Sequence, residues 1–114
     1  MNNIRSEIRQ LKAVDRNYFW LIQAINNPSV QWIEIVRRID DTELDDIMEK
    51  YMRSNGSEEH KALFIKHCEK MQRECIKGIV ERENALAEKR KRISEDPEAQ
   101  HYYAQFLERE DYND

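Results

Sequence analysis

SEEHKALFIKHCEKMQRECIKGIVERENALAEKRKRISED, residues 57–96, reads as one helix of unusual length, with no proline and a single glycine, Gly78. Phe64, Cys68, Met71, Cys75, Ile79, Leu86 and Ile93 recur at steps of four, three, four, four, seven and seven, which places them on one helix face. That face must be buried. Leu63, Ile65, Ile76 and Val80 broaden the apolar surface of the first half, enough for more than one neighbouring helix. Beyond Val80 the seam narrows to Leu86 and Ile93, with Arg82 and Lys89 where a coiled coil would carry leucine. A helix of this span measures about 60 Å. It is therefore expected to be the spine of a bundle in its first half and to reach outward in its second. A kink near Gly78 or Asn84, or a partner, would then deal with the far end.

The segments on either side read as shorter helices. Residues 3–26 place Ile4, Ile8, Leu11, Tyr18, Ile22 and Ile25 along one face, with Asn2 or Asn3 as cap. Asp15 interrupts this face, and the cost of a lone buried carboxylate favours a seam that rotates through Val14 and leaves Asp15 at the edge. Phe19 and Trp20 lie off the stripe, as a covered second face or an exposed contact. Asn27-Pro28 is expected to start a second helix ending near Ile39, with Trp32, Ile33, Val36 and Ile39 inward. Asp40 with Glu43 resembles a capping box for a third helix that turns Leu44, Ile47, Met48 and Tyr51 inward. Asn55-Gly56 closes it and Ser57 caps the spine. After Asp96, Pro97 opens a last helix bearing Ala99, Tyr102, Tyr103, Phe106 and Leu107, followed by an acidic tail. The expected fold is all-α: a small bundle of about five helices organised on the helix at 57–95. Residues 1–96 form its body, and 97–114 are either part of the same domain or a partner-binding appendage.

Composition agrees and narrows the function. The 114 residues suit one domain, only two glycines and two prolines among 37% charged residues favour helix, and no apolar run approaches a membrane span. With no hydrophobic leader, the expected compartment is cytoplasmic. Cys68 and Cys75 are two turns apart on the buried stripe, too far for a disulfide within one helix, and read as small core residues.

Catalytic and metal chemistries find little footing. His60 and His67 are also two turns apart, too far to share one metal directly. Glu98-Ala99-Gln100-His101 has the spacing of a di-iron element but lacks the second copy and further carboxylates such a site needs. Glycine-rich phosphate loops are absent. No catalytic residue, cofactor or metal is expected, and the chain is read as non-enzymatic. A helix-turn-helix docked on DNA is rejected, because Glu43, Asp45, Asp46 and Glu49 on the third helix would repel phosphates.

Charge placement leaves two candidate surfaces. Residues 97–114 carry one basic and five acidic side chains, whereas residues 1–27 carry four basic and two acidic. Tyr102, Tyr103, Phe106 and Leu107, with Leu86 and Ile93 on the spine, are the candidate partner-binding residues: aromatic anchors beside acids suit a partner's groove with a basic rim. The same aromatics are equally suited to folding back on their own bundle. The alternative surface is cationic: Arg5, Arg9, Lys12 and Arg16 on the first helix, Lys66, Lys70, Arg73 and Lys77 on the spine, and the run Lys89, Arg90, Lys91, Arg92. Such stripes grip polyanions or remain solvated faces paired with nearby acids. The expectation is a protein-protein interaction module, acting as an adaptor, assembly factor or small inhibitor, with a protein partner and with self-association along the spine as an option. The alternative is an accessory protein that binds nucleic acid, or regulates a nucleic-acid-processing complex, through the basic stripes or the acidic aromatic tail.

Overall fold

The computed structural model describes residues 3–95, which hold four α-helices: α1 (Ile4–Ile25), α2 (Trp32–Arg37), α3 (Thr42–Arg53) and α4 (Glu58–Ser94). The all-α reading holds. The fifth helix expected within 97–107, and the appendage of which it would be part, lie outside the described residues.

The spine is unbroken. α4 runs 37 residues through both Gly78 and Asn84 without interruption, about 55 Å of helix. The helix continues past both candidate kink positions, and α1 residues share a groove with Leu86 and Arg90 of the far half. α1 packs along α4 in the opposite direction: Leu11 lies against Gly78, and Arg82 donates from Nε to Glu7 at 3.2 Å and from Nη1 to the carbonyl of Gly78 at 3.0 Å. Arg82 thus occupies the seam position expected of leucine, because a carboxylate on α1 and the carbonyl of Gly78 receive its guanidinium.

α3 packs on the opposite, N-terminal half of α4, and α2 packs against α1 and α3. The core there comprises Tyr18, Leu21, Ala24 and Ile25 of α1, Ile35 of α2, Leu44, Met48 and Tyr51 of α3, and Phe64 and Cys68 of α4. Three expectations need correction. α2 begins at Trp32 rather than at Pro28, because Gln31 and Glu34 form the capping box and residues 28–30 are spent in a turn. Ile35 is its buried residue, whereas Ile33 is 51% exposed. The third helix is capped by Asp41, one residue later than expected: its Oδ1 accepts the backbone N–H groups of Glu43 and Leu44.

The face of α1 also differs from expectation. Val14 is exposed and Asp15 is half-buried, with no hydrogen-bond partner for its Oδ1. The antiparallel contact with α4 runs through Leu11 and Tyr18, and helical spacing places Asp15 between them on the same face. Register decided what desolvation alone would have refused.

The α3–α4 turn forms as the sequence indicates. Asn55 (φ 58°) and Gly56 (φ 84°) take left-handed conformations, and the N–H of Gly56 donates to the carbonyl of Tyr51 at 2.9 Å. Gly56 sits under the edge-to-face pair of Trp32 and Tyr51, whose centroids are 5.4 Å apart; an added Cβ would lie 3.3 Å from Trp32 Cζ2. Gly56→Ala is therefore expected to lower stability by more than about 1 kcal/mol in urea unfolding, since both the conformation and the space are refused. An unchanged midpoint would show that the turn is not held in this form.

Candidate functional site

Two constellations stand out, one buried and one open. The buried one joins three helices through Asp41. While its Oδ1 caps α3, its Oδ2 accepts the hydroxyl of Tyr18 at 2.8 Å and Nε2 of His67 at 2.6 Å. Burial alone would push the Asp41 carboxyl up, but the bonds from His67, Tyr18 and the Leu44 N–H outweigh it and hold the group below the ordinary carboxylate range. An ionised carboxylate only accepts, so Nε2 of His67 carries the proton it donates. Burial, and then the bond to Asp41, push the Tyr18 hydroxyl far up, so it stays neutral.

This cluster has the look of an acid-base pair but not the access of one. His67 is 6% exposed, its other ring nitrogen faces Glu43 at 3.8 Å, and its neighbour Cys68 is fully buried with a thiol pushed up to about 12, chiefly by burial. A thiol so held is not a nucleophile. No group of three or more metal-ligating side chains occurs among the described residues. The cluster's work is to fix where α1, α3 and α4 meet. Sequence pattern missed it, although Asp41 carries a cap signal and His67 lies three residues from Phe64 on the spine.

Removing the hub should therefore cost more than a cap. Asp41→Ala loses the α3 cap, about 1 kcal/mol, and leaves Tyr18 and His67 buried without their acceptor, about 1–3 kcal/mol more. The folded value of Asp41 lies below its unfolded value, so its contribution is complete above about pH 4 and is lost as pH falls through the folded value. Denaturant midpoints measured from pH 6 to pH 2 should fall more steeply for the natural chain than for Asp41→Asn. Parallel curves would contradict the hub.

The open constellation is a groove where the N-terminal half of α1 meets the far half of α4. Its volume is about 350 Å³, and it is lined by Arg5, Ile8, Arg9, Lys12, Glu83, Leu86 and Arg90. Each helix contributes for a local reason. On α1, Arg5, Arg9 and Lys12 flank the seam residue Ile8, and on α4, Glu83 and Arg90 flank Leu86. The result is a half-apolar floor under four cations and one carboxylate. Above it, Ile76 and Val80, 52% and 48% exposed, continue the α4 flank at helical steps from Glu83.

Only part of the sequence-predicted set meets here. Arg5, Arg9, Lys12, Arg90 and Leu86 converge. Arg16 is exposed one turn further along the α1 stripe. Lys66, Lys70, Arg73 and Lys77 are exposed on α4, about half a turn from its packed face. Lys89, Lys91 and Arg92 are also exposed, but successive residues of a helix point about 100° apart, so the run divides among several faces. Ile93 is half-buried on the seam, whereas Tyr102, Tyr103, Phe106 and Leu107 lie outside the described residues. Among the described residues no helix is long and apolar enough to cross a membrane. No family model, curated protein or solved structure matches the chain.

Proposed function

We propose that this chain is a non-enzymatic protein-protein interaction module, an adaptor, assembly factor or small inhibitor, whose α1–α4 groove receives an acidic segment carrying apolar side chains. The observation that carries the reading is the lining itself: cations from two helices, Arg5, Arg9, Lys12 and Arg90, surround Ile8 and Leu86. A phosphate backbone would use the cations and leave the apolar floor idle. A peptide that alternates carboxylates with leucine or aromatic residues uses both, with charge steering the encounter and apolar burial supplying affinity. The buried Asp41 cluster and the inert thiols support a scaffold rather than a catalyst.

A second reading keeps the groove and changes the ligand. Arg16 continues the line of Arg5, Arg9 and Lys12 on the same helix flank, and a straight row of cations also suits a nucleic-acid backbone. The formal net charge of -4 and the acidic outer face of α3 oppose it.

Fluorescence anisotropy separates the two. A labelled amphipathic peptide rich in glutamate and leucine is expected to bind, and Arg9→Glu to weaken it about tenfold, the loss of one charge-assisted contact. A short DNA duplex is expected to bind weakly or not at all at 150 mM salt. Duplex binding with a steep salt dependence, and none of the peptide, would overturn the protein-module reading in favour of the second.

A further inference from the structure

We infer that the groove between α1 and α4 is a self-occupied site: the acidic aromatic segment 97–114 of the same chain docks in it and must be displaced by a partner. This rests on the reading of the groove as a receptor for acidic, apolar-bearing segments, and adds its resident occupant.

Chemistry supplies the first argument. Residues 97–114 carry five acidic side chains against one arginine, with Tyr102, Tyr103, Phe106 and Leu107 preceding Glu108, Glu110 and Asp111. The groove presents the complement, four cations against the single carboxylate of Glu83 around an apolar floor. Along the chain, then, apolar anchors come first and carboxylates second. In the groove Leu86 and Ile8 lie between cations, with Arg90 and Arg5 toward the end of α4 and Arg9 and Lys12 further back along α1, so carboxylates that follow the apolar anchors meet Arg9 and Lys12.

Geometry supplies the second. α4 ends at Ser94, about two turns beyond Leu86. The far end of the groove, where Leu11 lies against Gly78, is about 17 residues of helix back from Glu95, or about 25 Å. Eight extended residues cover that distance. Residues 102–107 therefore reach the floor and 108–111 reach the α1 cations without moving any helix. A tether this short holds the segment at an effective concentration in the millimolar range, so even weak complementarity fills the site. Burying the floor in this way also covers part of the spine beyond the reach of α3.

The consequence is competition. A partner with the same chemistry binds only the fraction of molecules whose groove is open, so weakening the internal contact tightens external binding.

The test uses the full chain. Cys68 is fully buried and Cys75 nearly so, so a nitroxide reacts selectively with an added thiol in Gln105→Cys, with Asn113→Cys as a second label position in case the first disturbs docking. Line broadening of the 15N-labelled chain is expected at the backbone amides of residues 5–12 and 83–90, independent of protein concentration, and abolished by Arg5→Glu with Arg9→Glu. The triple variant Glu108→Lys, Glu110→Lys, Asp111→Lys should bind the glutamate-leucine peptide at least fivefold more tightly. Broadening only in mixtures of spin-labelled and 15N-labelled chains would assign the occupant to a second copy and overturn the inference. Absence of broadening from both label positions would overturn it too. Peptide binding without broadening refutes self-occupation alone; broadening without peptide binding refutes the receptor reading while the contact stands.

Discussion

A helix of 37 residues can bury its apolar stripe only against something laid along it. In this chain α1 meets that constraint, and every other feature follows from how far α1 reaches. Its antiparallel course pairs Glu7 with Arg82, Leu11 with Gly78, and Tyr18 with the region of His67. The lower half of the spine still needs a second cover, which α3 provides, with α2 bracing α1 and α3. Among the described residues the upper half has α1 alone, and two cylinders in contact leave a furrow on their flank. The groove is thus the necessary remainder of a long helix covered by a shorter one.

Position along that contact is set by polar groups more than by apolar ones. Apolar stripes slide past one another at modest cost, whereas a buried carboxylate with four acceptor contacts does not. Asp41 binds a residue of α1 and a residue of α4 while capping α3. At the other end Arg82 ties the spine to Glu7. Asn17 adds a bond from α1 to the carbonyl of Arg38, whose guanidinium covers Trp20 at 4.1 Å. These fixed points give the groove a defined width, which a recognition site needs and a sliding helix pair lacks.

Much of this was legible in sequence, for identifiable reasons. The spine stripe, the inner face of α3, the Asn55-Gly56 turn and the Ser57 cap all rest on local rules of period and capping, and these the chain obeys. What was not legible depended on partners distant in sequence. The cost of burying a carboxylate favours Val14 over Asp15 in the seam, yet the antiparallel register turns Asp15 inward. Arg82 looked like a break in a seam because Glu7, 75 residues away, could not be seen as its partner. The cations divided the same way: each stripe was visible as a stripe, but only folding brought Arg90 beside Arg5, Arg9 and Lys12 and left Lys66, Lys70, Arg73 and Lys77 on another face.

The central claim is that recognition occurs on the flank where α1 and α4 meet and not on the acidic face of α3 or along the lysines of the spine. Chemical-shift mapping of the 15N-labelled chain during titration with a glutamate-leucine peptide tests it most directly. The largest shifts are expected to cluster on residues 5–12 and 83–90, with α2 and α3 unchanged. Shifts centred on Lys66, Lys70, Arg73 and Lys77, or spread evenly over all exposed lysines and arginines, would contradict it.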